Sequence, residues 1–403
     1  MTVDAAQLSA TIRDHIDAIL PELIEFRHDL HRHPEIMYEE HRTSGRIREE
    51  LERAGIDFKG DLAGGTGVLA HLQGDAQQAV GLRADIDALP IHEQSGVPHA
   101  STIDGRMHAC GHDGHTAILL GAARVLKSIS DHQRLPHPVS FLFQPAEEGG
   151  AGGKRMVEDG CLDGTVIGPP IERMYGLHGW PMLPEGVVGS RPGPLLASAD
   201  SFSMVIRGRG GHAAMPHTTI DPVSTAATII TTLQQAVSRR VDPVLGGVVS
   251  VTSIHAGEAY NVIPGECHLK GTVRALYEDA RQVLRTAVHE IPTGIAATLG
   301  CEIEIDYHDG YPVTRNDAAT TESFHDLARS VVGDDRVEPL EFPVMGGEDF
   351  AYYCQKIPSC FFALGLCPPD QESIPSLHHP AFDFNDNAIT TGVEMFCRLA
   401  MES

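Results

Sequence analysis

Apolar residues recur at spacings of three and four near the start of the chain, where Ile12, Ile16, Ile19, Leu23, Phe26 and Leu30 line one face. This pattern predicts an opening helix over 8–30. A second helix is expected over 44–54, closed by Gly55, a residue suited to a left-handed C-terminal turn. Segments 68–72 and 79–84 read as strands. The stretch 114–127 reads as a helix with Ile118, Leu119, Ala122, Val125 and Leu126 turned inward. Segment 139–144 (Val-Ser-Phe-Leu-Phe-Gln) is a buried type of strand that Pro145 stops. Strands alternating with helices predict an α/β fold with a mainly parallel sheet covered on both faces. Sites in such sheets lie beyond the carboxyl ends of the strands.

The pattern changes at 190–199, a Pro/Gly-rich junction around Arg191-Pro192-Gly193-Pro194. Beyond it the periodicity predicts a strand at 201–209, a helix at 221–239, strands at 247–255 and 266–274, a helix at 278–299 and a strand at 301–307. The order β-α-β-β-α-β is ferredoxin-like, and its roughly 120 residues suit a small domain. After Gly310-Tyr311-Pro312 the alternation resumes. The expected organisation is a catalytic α/β domain in two parts, 1–195 and 311–403, interrupted by an inserted domain at 196–310.

Composition narrows the function classes. The length of 403 residues is ordinary for two or three domains. With 30 Lys+Arg against 55 Asp+Glu, the charge of −25 repels phosphate backbones. The densest basic clusters, such as Arg207-Gly208-Arg209, are short, so no nucleic-acid partner is expected. No apolar run approaches the ~20 residues of a membrane span, so no membrane partner is expected either. Met1-Thr2-Val3-Asp4-Ala5 lacks the basic start and apolar stretch of a signal peptide. Eight irregularly spaced cysteines do not form a disulfide framework. The expected location is the cytoplasm. The unusual count is 23 His, several of them beside Cys, Glu or Gly.

Those histidines carry the candidate chemistry. Cys110 and His112 flank Gly111 just before a predicted helix; in extended backbone both side chains point the same way. Thiolate plus imidazole is a zinc-type ligand pair, although a buried cysteine beside a surface histidine would look the same. Glu147 and Glu148 follow strand 139–144 at the end where sites form. One could bind metal while the other works as a base; an exposed acidic turn is the plainer alternative. His178 falls at an expected strand end beside Trp180, and His378 and His379 lie near the C-terminus. Taken together, these separate coincidences favour one shared dimetal site. In the inserted segment, His212 belongs to a second Gly/His cluster, and Asn261 and Arg274 are polar residues at strand edges. An Arg there could clamp a carboxylate or simply sit in a surface ion pair.

The motifs, in this order, resemble the dimetal amidohydrolases of the aminoacylase and carboxypeptidase G type. The branch they are most similar to is that of hippurate hydrolases, N-acyl-amino-acid amidohydrolases and plant auxin-conjugate hydrolases. The resemblance covers nearly the whole chain: Phe26-Arg27-His28-Asp29-Leu30-His31-Arg32-His33-Pro34-Glu35, Leu82-Arg83-Ala84-Asp85-Ile86-Asp87-Ala88-Leu89-Pro90, His108-Ala109-Cys110-Gly111-His112-Asp113-Gly114-His115-Thr116, Gln144-Pro145-Ala146-Glu147-Glu148, Gly208-Arg209-Gly210-Gly211-His212 and Met345-Gly346-Gly347-Glu348-Asp349-Phe350. It implies a metallopeptidase-like catalytic domain with an inserted lid that also dimerises. It implies Cys110, His112, Glu148, His178 and His378 as metal ligands and Glu147 as the general base. It further implies Asp85 as a carboxylate orienting an imidazole ligand, His212 as a residue reaching the other subunit's substrate, and Asn261 and Arg274 as substrate contacts. Two departures stand out. Relatives outside the branch carry His-x-Asp where this chain has Arg83-Ala84-Asp85, a lost ligand that His112 would replace. The branch usually has Asn where His379 stands, and position in the motif favours His378 as the ligand.

The resemblance implies metal-dependent hydrolysis of the amide bond of a small N-acyl-amino acid, hippurate-like or N-acetylated, by a homodimer or tetramer. Two divalent ions per subunit are expected, with zinc best suited to mixed thiolate, imidazole and carboxylate ligands, and Mn²⁺, Co²⁺ or Ni²⁺ also able to fit. Alternatives on the same fold are a dipeptidase or carboxypeptidase and an N-acetyl-diaminopimelate-type deacetylase. A catalytically dead scaffold is a different class, which the intact Glu147 and five candidate ligands argue against.

Overall fold

The computed structural model describes residues 5–402. They fall into two compact units. One runs up to Gly193 and includes Arg315–Glu341 and the chain from Asp349 onward; the other comprises Pro194–Thr314 and Phe342–Glu348.

The first unit is α/β. Its helices begin with α1 (Ala5–Arg32), α2 (His41–Arg53), α3 (His112–Ser130) and α4 (Gly152–Glu158). Its strands are β1 (Asp57–Leu62), β2 (Gly67–Leu72), β3 (Ala79–Asp85), β4 (Val139–Gln144), β5 (Ile171–Pro184), β6 (Val188–Ser190), β7 (Val337–Pro339) and β8 (Ser359–Cys367). They form one sheet in the order β1-β2-β4-β3-β5-β8-β6-β7. Its centre is parallel: β3 pairs parallel with β4 and β5, and β5 with β8. Strands β2, β3, β4 and β8 are buried at every residue, as expected where both sheet faces are covered. The sequence pattern therefore reads the mainly parallel α/β sheet correctly. It misses β1, an edge strand with the polar sequence Asp-Phe-Lys-Gly-Asp-Leu and no buried residue.

Helix α1 lays Ile12, Ile16, Leu23 and Leu30 into the main core. Arg27 and His31 share that buried side, and both hold the carboxylate of Asp113 in the first turn of α3, at 3.0 and 2.9 Å. Helix α3 is buried along most of its length, which fixes the position of its N-terminus.

The second unit has a four-stranded antiparallel sheet in the order 247–255, 266–275, 198–207, 302–311. Helices Pro222–Gln235 and Glu278–Leu299 pack against it. Burial alternates along Ser198–Arg207 and Glu266–Ala275, so one face meets the helices and the other does not. Asp221 caps the first helix by accepting the N–H groups of Val223 and Ser224.

Candidate metal centre

The site residues of the first unit gather at the carboxyl ends of the parallel strands. Strand β3 ends at Asp85, with Asp87 two residues on, and β4 leads through Pro145 into Glu147 and Glu148. His178 does not end its strand. It lies within β5, just past Gly176, where the pairing with β3 stops and only β8 continues alongside. Nor is the backbone from Cys110 to His112 extended. Gly111 is left-handed (φ 88°) and His112 is already the first residue of α3, so a tight turn places the two side chains.

Ligand-capable atoms of Cys110, His112 and His178 lie within 4.8 Å of one another. The same holds for Cys110, Glu148 and His378, and for His112, Glu147 and Glu148. Shared members join these trios into one cluster. Cys110 Sγ is 3.4 Å from His178 Nε2, and His378 Nε2 is 3.2 Å from Glu148 Oε1. His379 belongs to none of the trios; its Nδ1 accepts the N–H of Ala381.

The two buried candidate imidazoles, His112 and His178, each have Nδ1 committed to a backbone carbonyl. His112 Nδ1 donates to the carbonyl of Asp87 at 2.8 Å, and His178 Nδ1 donates to the carbonyl of Gly179 at 2.8 Å. Nε2 of both rings is thereby left facing the cluster. His112 Nε2 is fully buried with no hydrogen-bond partner. A buried polar atom left unsatisfied is costly unless something else meets it, and a divalent cation would meet it. The donor set therefore fits metal.

The electrostatics point the same way. Burial opposes charge on His112, yet Asp85, Asp87 and Glu148 raise it to about 10. Burial pushes the Cys110 thiol well up, helped by Glu148, Glu147 and Asp85. Burial, with His115 and His112 nearby, pushes His178 well below its ordinary range. Without metal, burial above all favours the proton on Cys110 and the carboxylates favour one on His112, and a divalent ion would displace them.

Asp85 does not touch a candidate imidazole ligand directly. Its Oδ1 accepts from His115 Nδ1 at 2.6 Å and its Oδ2 from Arg83 at 2.7 Å, while His112 Nε2 is 3.8 Å away. His115 Nε2 in turn accepts the N–H of Gly179 at 2.8 Å, so Asp85 reaches the backbone beside His178 through His115. His115 lies near Asp85 and His112 but has both nitrogens occupied, which suits it to support rather than ligation. Arg83 is buried and bonds Asp85, Asp349 and Gln144.

In the second unit, His212 is exposed on a two-residue strand opposite Val262. Its Nδ1 accepts the N–H of Ala214, which leaves Nε2 to carry a proton. Asn261 is exposed, and its carbonyl accepts the N–H of Ala213, so the two predicted residues share one small ladder. Arg274 lies near the end of strand Glu266–Ala275, between two neighbours rather than at the sheet edge. It donates to the Thr272 hydroxyl and to the carbonyls of Asp200 and Val273, and pairs with no carboxylate among the described residues.

Sequence reasoning singles out neither Glu40, Asp87 nor His115. Asp87 continues the alternation of Arg83 and Asp85, a signal the sequence does carry; Glu40 and His115 are recognisable only from their partners.

A mainly parallel α/β sheet with thiol, imidazole and carboxylate donors gathered at its strand ends defines a metal-dependent hydrolase. The model of peptidase family M20/M25/M40 matches residues 81–402, and the chain belongs to that family. It is 40% identical over 380 residues to N-acetylcysteine deacetylase of Bacillus subtilis, covering 94% of this chain and 96% of that protein. It is 37% identical over 382 residues to IAA-amino acid hydrolase ILR1-like 4 of Arabidopsis thaliana, covering 94% and 84%. In structure it resembles the YXEP protein of Bacillus subtilis, described as a dinuclear metal binding peptidase from the M20 family. That match has a TM-score of 0.80 and 36% identity, and covers 96% of this chain and 98% of that one. The protein is a metal-dependent amidohydrolase.

Proposed function

We propose that the protein hydrolyses N-acyl-L-amino acids, such as N-acetyl or hippurate-like substrates, to a carboxylic acid and a free amino acid. The observation that carries this reading is the convergence of Cys110, His112, Glu148, His178 and His378 beside Glu147. Those five residues would hold two divalent ions, zinc being the best match to the ligand set and Mn²⁺, Co²⁺ or Ni²⁺ also suited. When bound, the ions polarise the amide carbonyl and acidify water. Glu147 takes the proton of the attacking water on its carboxylate and returns it to the leaving nitrogen. Asp85, acting through His115, keeps the backbone beside His178 in place. His212, with its proton on Nε2, donates to the carbonyl oxygen as negative charge develops there. Arg274, which has no carboxylate of its own, pairs with the α-carboxylate of the amino acid, and Asn261 supports the same end.

We assign the second unit, whose main elements run strand-helix-strand-strand-helix-strand, a ferredoxin-like fold and the roles of lid and dimerisation domain, with His212 serving the other subunit of a homodimer. Eight free cysteines, several of them buried, support a reducing compartment and hence the cytoplasm. A relative from Ligilactobacillus salivarius, 39% identical over 378 residues, is named N-acetyldiaminopimelate deacetylase, which keeps that substrate as a second reading.

The test is a hydrolysis screen of the metal-loaded protein against acetyl, benzoyl and indole-acetyl conjugates of a series of amino acids, with N-acetyldiaminopimelate and simple dipeptides alongside. Release of free amino acid from the acyl conjugates is expected. Turnover confined to dipeptides would replace this reading with a peptidase.

A further inference from the structure

The segment carrying the two glutamates is held in a way that metal ligation does not explain. Asp87 uses both carboxylate oxygens on it: Oδ1 accepts the N–H of Glu147 and Oδ2 the N–H of Glu148, each at 3.0 Å. Glu40 takes the preceding group, its Oε1 accepting the N–H of Ala146 at 2.9 Å, while its Oε2 accepts the Thr66 hydroxyl at 2.8 Å. Three successive backbone N–H groups thus end on two carboxylates from other parts of the chain. Both acids are buried, Glu40 at 0% and Asp87 at 1% exposure. Burying a carboxylate is costly unless hydrogen bonds compensate it, so these contacts are what makes the placement tolerable.

The segment also needs holding. Ala146 has φ 55°, a left-handed conformation that a residue with a Cβ adopts at a cost. Ala151, at the other end, repeats it with φ 55°. Between them Tyr38, itself at φ 62°, donates its hydroxyl to the carbonyl of Gly150 at 2.5 Å. Backbone strain of this kind persists only where the surroundings over-determine it. Asp87 has a further contact, because its own carbonyl accepts His112 Nδ1. One residue therefore sets both the ring of a candidate ligand and the main chain of the candidate base.

We propose that Glu40 and Asp87 are positioning residues, a two-carboxylate clamp on the backbone of Ala146, Glu147 and Glu148 that aims both glutamate side chains into the metal cluster. The catalytic part rests on the reading of Glu147 as the base. Neither carboxylate takes part in the reaction. Each acts through the N–H groups it holds, and a displacement of about 1 Å at a catalytic group can cost on the order of 10²-fold in rate.

The experiment compares metal-loaded wild type with Asp87→Asn, Glu40→Ala and Glu40→Gln. Asn at 87 turns an NH₂ toward one of the two N–H donors. Gln at 40 keeps an oxygen for Ala146 and offers its NH₂ to the Thr66 oxygen. Amide hydrogen exchange should show protection lost at 147 and 148 in Asp87→Asn and at 146 in Glu40→Ala, with the rest of the sheet unchanged. On an acyl-amino acid the wild type hydrolyses, kcat should fall on the order of 10²-fold in Asp87→Asn. KM should stay within about threefold, with the kinetics compared at saturating metal because Asp87 also holds the N–H of the candidate ligand Glu148. Glu40→Ala should lose turnover and Glu40→Gln recover most of it. Exchange protection that drops evenly over the whole chain, or a Glu40→Gln variant as impaired as Glu40→Ala, would overturn the clamp. So would unaltered kcat in Asp87→Asn. If the wild type hydrolyses no acyl-amino acid, the substrate assignment fails, while the exchange pattern still decides whether the clamp exists.

Discussion

Glu147 and Glu148 are adjacent in sequence, yet their surroundings separate them. The Glu148 carboxylate sits 3.2 Å from His378 and within the Cys110 group, while Glu147 shares a group with His112 and Glu148 and not with Cys110 or His378. Glu148→Gln should therefore lower metal occupancy. Glu147→Gln should keep both metal and substrate binding and cut turnover by at least ~10²-fold, the lower range for losing a general base. Metal analysis alongside steady-state kinetics checks this, and the reverse pattern would mean that the two roles are exchanged. Much at this scale is legible in the sequence, because Cys, His and Glu in recognisable motifs advertise their own chemistry. What stays hidden there is support. Glu40, Asp87 and His115 matter for the N–H groups and rings they meet, and those partners come from distant segments that only the fold brings together. The turn at Cys110 and His112 departs from the extended expectation for a local reason: glycine at 111 permits a left-handed conformation that an extended reading does not include.

Among elements, the N-terminus of α3 is held by close packing. A Cβ on Gly114 would come within 2.5–2.6 Å of three ring atoms of Phe384, which is itself 1% exposed. Gly114→Ala should lower stability by about 1–3 kcal/mol, the usual range for overpacking. It should also weaken metal binding, since the same turn carries His112. A melting curve with and without metal checks both effects. In the second unit, Asp200 ties together Arg281, Tyr307 and the N–H of Gly310. Burial opposes its charge, but the bonds to Arg281, Gly310 and Tyr307 hold it below its ordinary value of 3.8. A lowered carboxylate contributes stability that is fully present above the unfolded value and is lost as pH falls through the folded one. Wild type should therefore lose stability as pH drops below about 4. Asp200→Asn should be less stable at neutral pH and less sensitive to acid; denaturant unfolding at several pH values reads this. Central elements are the legible ones. Segment 139–144 matches β4 residue for residue because a mostly apolar run bounded by Pro138 and Pro145 leaves few options. β1 escapes the pattern because an edge strand need bury nothing.

For the whole molecule, alternating elements reveal the mainly parallel sheet but not its order, in which β2 pairs antiparallel with both β1 and β4. Strand order depends on long-range pairing that local periodicity does not encode. Among the described residues no helix is long and apolar enough to cross a membrane. If His212 serves the other subunit, Glu147→Gln and His212→Ala chains should complement each other. A mixed dimer would hold one site with both defects and one with neither. Random exchange of equal amounts should then restore about a quarter of wild-type activity. No recovery despite demonstrated subunit exchange would place His212 at its own chain's site. The most direct measurement is a metal titration. The protein is stripped with a chelator, then given zinc or manganese in steps while bound metal and release of amino acid from an acyl-amino acid are followed together. Activity should be lost on stripping and return in full only as content approaches about two ions per chain. Full activity in the stripped protein would contradict the account.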